Sequence, residues 1–159
     1  FVKMHDNRFE HNWGTASYGL LLKEIYDAEI TNNVFEQNTI GISVDGSTRI
    51  NYTNNTFSRN GWAVTIIGAC YENVFSRNNF LNNALDLSYN SKINTNVFEN
   101  NYWSEYAGYD LDRNGVGDIP YRPVKLFSYI VHNTPETIIL LRSMFVDIIN
   151  FSENYFSRF

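Results

Sequence analysis

Asn33-Val34-Phe35-Glu36-Gln37-Asn38 is one copy of the hexad Asn-x-Phe-x-x-Asn, and the hexad returns along the chain. Asn7–Asn12, Asn55–Asn60, Asn78–Asn83 and Asn96–Asn101 are further copies, and Asn73–Asn78 is a sixth that overlaps its neighbour. The phenylalanines of the five main copies, Phe9, Phe35, Phe57, Phe80 and Phe98, are 26, 22, 23 and 18 residues apart. A period near 22 residues, with apolar and Asn positions locked together, marks a repeat architecture in which each unit buries its apolar face by stacking on the next.

Aligned on these phenylalanines, Met4, Ile30, Tyr52, Phe75 and Ile93 stand five residues earlier, and Gly14, Ile40, Trp62, Leu85 and Trp103 five later. Pieces such as Ile40-Gly41-Ile42-Ser43-Val44 and Trp62-Ala63-Val64-Thr65-Ile66 alternate with period two, the strand signal. They are too short and too rich in β-branched and aromatic residues for helices. Asn tolerates left-handed backbone at turns and stacks along a repeat axis through its amide. The expected fold is all-β: a parallel β-helix of about five coils, with Phe and Ile ladders inside and Asn at the corners. At ~4.8 Å per coil the rod is on the order of 24 Å long. The long first interval predicts a bulge near residues 15–20, and the short last one a coil trimmed around Ser88-Tyr89-Asn90.

Residues 1–103 are read as coils, and the start at Phe1, inside a repeat, reads as an N-terminally truncated fragment. Residues 104–123 lose the repeat and form an Asp/Gly-rich loop, and 124–159 are a connector and a C-terminal capping helix. Thr134-Pro135-Glu136 carries helix-start signals, and Ser143, Asp147, Asn150 and Asn154 make a polar stripe on an otherwise apolar amphipathic helix. That run, interrupted by Arg142 and Asp147, is too short to cross a membrane. A net charge of -5 and a pI near 5.1 argue against a nucleic-acid partner. The lone Cys70 makes no internal disulfide and no metal or redox pair, and reads as a small residue of the coil wall.

The densest chemistry lies where the hexads stop. Asp110, Asp112, Asn114, Gly115 and Asp118 fall at positions one, three, five, six and nine of a calcium-type loop, with the Val116 carbonyl at position seven. Tyr121 stands where that loop needs a bidentate Glu, so a bound calcium and an ion-free loop held by Asx turns are both open. Tyr102, Tyr106, Tyr109 and Tyr121 surround the loop as candidates for stacking on a ligand, while Trp103 continues the interior ladder. Asn51, Asn54 and Asn150 begin glycosylation sequons, expected by chance in so Asn-rich a chain.

The coils, with Asn101-Tyr102-Trp103-Ser104-Glu105-Tyr106 and the Asp110–Tyr121 segment D-x-D-x-N-G-x-G-D-x-P-Y, resemble the NosD-type family. These are right-handed parallel β-helix proteins described as periplasmic copper-binding and related to carbohydrate-binding and sugar-hydrolase repeats. The resemblance covers about residues 1–123. It implies the right hand of the coil, an extracytoplasmic location and a role accessory to copper-enzyme maturation. Copper wants Cys, His and Met. The candidates Met4, His5, His11, Cys70, His132 and Met144 form no dense cluster in the sequence, so copper rests on the resemblance alone.

Two other classes stay in view: a carbohydrate-binding surface module, and a polysaccharide lyase or hydrolase with its active site in missing coils. A hydrolase needs two carboxyls at a set separation. Asp45 and Asp86 do not stack, and the slot shared by Glu10, Glu36 and Glu99 is interrupted by Ser58 and Leu81. The reading is a non-catalytic binding or scaffold protein that presents a coil face to a carbohydrate or a partner protein.

Overall fold

A computed structural model describes residues 1–90, 95–141 and 143–156. Its strands wind as coils. The first coil supplies β1 (Val2–His5), β2 (Arg8–Glu10) and β3 (Tyr18–Lys23), and the second β4 (Tyr26–Thr31), β5 (Val34–Glu36) and β6 (Ile40–Asp45). The third has β7 (Thr48–Thr53), β8 (Thr56–Ser58) and β9 (Trp62–Ile67), and the fourth β10 (Val74–Ser76), β11 (Asn79–Leu81) and β12 (Leu85–Tyr89). A last, partial coil carries β13 (Val97–Glu99) and β14 (Tyr102–Trp103). Like strands pair in parallel from coil to coil, giving sheets β1-β4-β7-β10-β13, β2-β5-β8-β11-β14 and β3-β6-β9-β12. The chain is a parallel β-helix, as the repeat predicts.

The register corrects how the hexads align. Phe80 pairs with Trp103, and Phe98 pairs with Phe75. One ring ladder therefore runs Phe9–Phe35–Phe57–Phe80–Trp103, with centroids 4.9, 5.1, 4.9 and 4.1 Å apart. The other runs Tyr52–Phe75–Phe98, at 4.1 and 4.5 Å. The hexads of Asn73–Asn78 and Asn96–Asn101 belong to this second ladder, one strand earlier in the coil than their look-alikes. The short last interval is thus a change of ladder, and no coil is trimmed at Ser88–Asn90. The slot expected for Ile93 lies outside the described residues. The long first interval is real, but its extra residues fall between Asn12, which contacts Asn38, and Tyr18, which pairs with Ile40. Tyr18, Gly19 and Leu20 are therefore strand, and the bulge ends before them.

The asparagines do more than turn the chain. Asn33, Asn38, Asn55, Asn60, Asn73 and Asn78 are buried. Asn55 accepts through Oδ1 from the backbone N–H and side-chain amide of Asn33, at 2.9 and 3.1 Å. Its own Nδ2 donates to the Ile30 carbonyl and to Asn78 Oδ1, at 2.8 and 3.1 Å. The same pattern links Asn7, Asn33, Asn55, Asn78 and Asn101, and a parallel one links Asn12, Asn38, Asn60 and Asn83. A third, shorter column links Asn73 to Asn96, and Asn73 also accepts from the Ile50 N–H and donates to the Ser47 carbonyl, both at 3.0 Å. A buried amide with every donor and acceptor engaged is stabilising where an unpaired one is costly. In the two long columns the left-handed backbone falls on the residue before each Asn. Asp6, Asn32, Asn54, Arg77 and Asn100 precede the first column, and His11, Gln37, Arg59 and Asn82 the second, all with φ between 52° and 59°. Their N–H groups bond the next coil, as Gln37 does with the Ser58 carbonyl at 3.0 Å, which offsets the strain of that region.

Beyond the coils, residues 104–123 cross the end of the rod, and Tyr121 lies against Trp103 with ring centroids 4.9 Å apart. The stretch read as a connector contains α1 (Leu126–Asn133). The segment from Pro135 to Leu140 is a 3-10 helix, and the amphipathic helix α2 spans Met144–Phe156. Ser143 sits at the entry of α2, its hydroxyl accepting from Val146 N–H, so the helix begins ten residues after Thr134. Phe127, Val131 and Val146 pack with Leu85 and Trp62, so the helices lie along the flank of the last coils while the loop covers the end. The Asn154 side chain lies outside the described residues, as does Arg142.

Candidate functional site

The loop and the last coil enclose a cleft of about 560 Å³, the size of a ligand pocket. Phe98, Asn101, Tyr102 and Trp103 line it from the coil, and Asp110, Val116 and Ile119 from the loop. Of the four candidate stacking tyrosines, Tyr102 lines the cleft and is 59% exposed. Tyr109 is equally exposed but is not part of the lining. Tyr106 and Tyr121 also line it, but both are half-buried and meet edge to face, so their rings largely pack the loop. The Tyr106 phenol lies against Gly108 and Gly117, where an added Cβ would sit 2.0 and 1.8 Å from its hydroxyl. Two glycines of the loop are thus required by a ring.

Asp110, Asp112 and Asp118 place one carboxylate oxygen each within 4.8 Å of one another. Among the described residues this is the one group of three or more His, Cys, Asp and Glu side chains placed to hold a metal. Asp110 accepts the N–H groups of Asn114 and Gly115 at 3.1 and 3.0 Å, and Asp118 that of Leu111 at 2.7 Å. Asn114 donates its amide to Asp112 at 2.8 Å and accepts from Val116 N–H at 2.7 Å. These bonds hold the loop in shape, and each carboxylate oxygen keeps a lone pair for a cation. The donor set is all oxygen, suited to a hard ion.

Asp86, weighed in the sequence only as half of a carboxylate pair with Asp45, has a different place in the structure. It occupies the column of Gly19, Gly41 and Ala63, which face the interior, and is 8% exposed. Tyr121 donates to it at 3.2 Å and the Asn83 amide at 3.3 Å. Burial pushes its carboxyl above the usual range, against the opposing pull of those two bonds. The coil register is what reveals it: a carboxyl stands in a column otherwise made of small residues.

The acids on the side of the rod are spent on one another's counter-charges. Glu10 and Glu36 do stack. Arg8 reaches both, at 2.5 Å to Glu10, and Arg59 also bonds Glu36. The Arg8 guanidinium holds Glu10 below the ordinary carboxylate value. Asp45 pairs with Lys23 at 3.5 Å. Cys70 is buried and bonds the Ile67 and Val44 carbonyls, as Ser47 bonds Asp45 and Leu22 one coil earlier, and burial pushes its thiol up. It is a wall residue.

A family model described as "Periplasmic copper-binding protein (NosD)" matches residues 2–108, more than half of the chain. The chain belongs to the NosD family. Two relatives carry the name "Probable ABC transporter binding protein NosD". The Pseudomonas aeruginosa protein is 32% identical over 56 residues, and the Stutzerimonas stutzeri protein 30% over the same length. Each alignment covers 35% of this chain and 13% of the relative, so this NosD-family chain spans a small part of the relatives it matches. The match ends before Asp110, so the loop rests on its own geometry.

Among its described residues, this NosD-family chain assembles no group of His, Cys and Met suited to copper. His5 is exposed and bonded to Asp6, His11 is an exposed corner residue, and Cys70 is spent on carbonyls. Met4 packs against the core while Met144 is 78% exposed on α2. The His132 side chain lies outside the described residues. No helix among those described is long and apolar enough to cross a membrane.

Proposed function

We propose that this chain is the closing end of an extracytoplasmic NosD-type binding or scaffold protein, without catalysis of its own, whose partner docks in the end cleft. The cleft carries the reading: it is concave and lined by apolar groups such as Phe98, Val116 and Ile119 beside polar ones such as Asn101 and Asp110, whereas the described side of the rod carries ion pairs. The periplasmic description of the family supports the location. A protein partner is favoured over a carbohydrate because Tyr106 and Tyr121 are committed to packing, leaving Tyr102 as the one well-exposed ring of the lining. The relatives' name, a transporter binding protein, points the same way. An accessory role in copper-enzyme maturation would draw on residues outside those described, since the described ones gather no copper site.

A calcium ion held by Asp110, Asp112, Asn114, Asp118 and the Val116 carbonyl would set the loop that forms the cleft wall. Ile119 lines the cleft and is 48% exposed, so Ile119→Trp narrows it while every coil residue keeps its identity. Displayed heptapeptides and a glycan array should be screened against wild type and Ile119→Trp. Peptides lost on Ile119→Trp support the reading. Glycans lost instead move the ligand class to carbohydrate, and binding that ignores the substitution removes the cleft from the account.

A further inference from the structure

We infer that the cleft takes an extended peptide as the next rung of the β-helix, by strand addition to β13. The inference rests on the cleft being the binding site and names what fits it. Four observations meet there. First, β13 ends its sheet and has one edge with no strand neighbour among the described residues, whereas the end of β14 is taken by Tyr121 on Trp103 and by the Tyr106 N–H on the Trp103 carbonyl. An open edge is a template for main-chain pairing. Second, the two ring ladders end differently. Trp103 is covered by Tyr121, whereas Phe98, half-buried, lines the cleft with no ring stacked beyond it among the described residues. An aromatic or large apolar side chain on Phe98 would extend that ladder at the spacing it already uses.

Third, the first Asn column stops at Asn101, which also lines the cleft. In every earlier coil the backbone N–H of the column Asn donates to the amide oxygen of the next, as Asn78 does to Asn101 at 2.9 Å. The incoming strand therefore carries an acceptor side chain, best an Asn, three residues after its aromatic one, which is the spacing between Phe98 and Asn101. Fourth, the rim is acidic. Asp110 lines the cleft, and Glu99 and Glu105, both exposed, flank its coil side. A peptide with Lys or Arg beside the aromatic-x-x-Asn core complements that charge. The contact continues the interface by which each coil already stacks on the next.

The test is fluorescence anisotropy with a labelled peptide that bears the chain's own rung, Asn-Val-Phe-Glu-Asn-Asn, between lysine pairs. In the coil, Val97 N–H donates to the Asn73 carbonyl at 2.9 Å, so a valine-to-proline peptide removes the equivalent rung bond. Saturable binding is expected, weakened about fivefold by that proline and by phenylalanine-to-alanine, which remove a ladder bond and a ring stack respectively. Ile119→Trp should weaken it as well. Binding that is lost on Ile119→Trp but indifferent to the proline overturns strand addition and leaves the cleft as a binding site. No binding of the lysine-flanked peptide, with cleft-dependent peptides of other sequence in the display screen, has the same meaning. Absence of any cleft-dependent ligand overturns both.

Discussion

Tyr121 donates its hydroxyl to the buried carboxyl of Asp86 at 3.2 Å, across 35 residues of chain. This bond ties the loop to the interior of the fourth coil, and Tyr121 at the same time covers the last ring of the Phe ladder. The end of the rod and the wall of the cleft are thus one structure.

Replacing Tyr121 by Phe leaves the Asp86 carboxyl with Asn83 alone, and the loss of a hydrogen bond to a buried charged group should cost about 1.5–3 kcal/mol. Denaturant unfolding of the variant measures it, with calorimetry to show whether the loop melts ahead of the coils.

The pH dependence of Asp86 has a defined sign. Its carboxyl is raised in the folded chain, so the folded state holds the proton more tightly than the unfolded one, whose value is near 3.8. Its contribution is most favourable below that value and is lost as pH rises through the raised one. Asp86→Asn removes this dependence while keeping an acceptor for Tyr121. The stability of wild type minus that of Asp86→Asn should fall as pH climbs from about 3.8 toward neutrality. Melting curves of both proteins across that range would show a flat difference if the carboxyl were not buried.

Tyr52 is fully buried in the second ladder, and its hydroxyl has no hydrogen-bond partner among the described residues. Tyr52→Phe keeps the ring stack with Phe75 and removes the orphaned group, so it should stabilise the rod by about 1 kcal/mol. A lower midpoint in urea would mean that the hydroxyl is solvated in solution.

The buried asparagines and the corner residues before them should respond oppositely. Asn55→Ala breaks four contacts inside the rod and should cost about 3 kcal/mol or more. Asn54→Gly, at φ 57°, relieves a left-handed non-glycine residue and should lie within about 1 kcal/mol of wild type. Equal losses at the two positions would contradict the division of labour between column and corner.

Calcium should raise the melting temperature, by an amount set by its concentration relative to the dissociation constant. Asp112→Ala should abolish the gain, because Asp112 belongs to the carboxylate cluster and otherwise bonds Asn114 within the loop. A chelator that leaves the wild-type melt unchanged, with no rise on added calcium, would remove the ion from the account.

The sequence made the β-helix legible because Phe and Asn recur at a fixed spacing that only stacked coils can use. It misplaced the last coil because Asn96–Asn101 satisfies the same hexad as Asn78–Asn83, while coil register is decided by which ring lies under which. The pairing of Phe98 with Phe75 is a three-dimensional fact. Cys70 was legible as a wall residue, and the carboxylate triad follows from spacing within one short loop. The cleft was not, since it forms between Tyr102 on the coil and Val116 and Ile119 on a loop that folds back. Nor were Gly108 and Gly117 readable as room for the Tyr106 ring, or α1 within a stretch that lacked helix-start signals.

The central claim is that binding happens at the closed end of the rod and not on the side of the coils. Hydrogen–deuterium exchange with and without the lysine-flanked rung peptide tests it most directly. The account predicts new protection at Phe98 to Ser104 and at Gly115 to Ile119, with β4 to β9 unchanged. Protection confined to the coil sides, with the end segments exchanging as before, would contradict it.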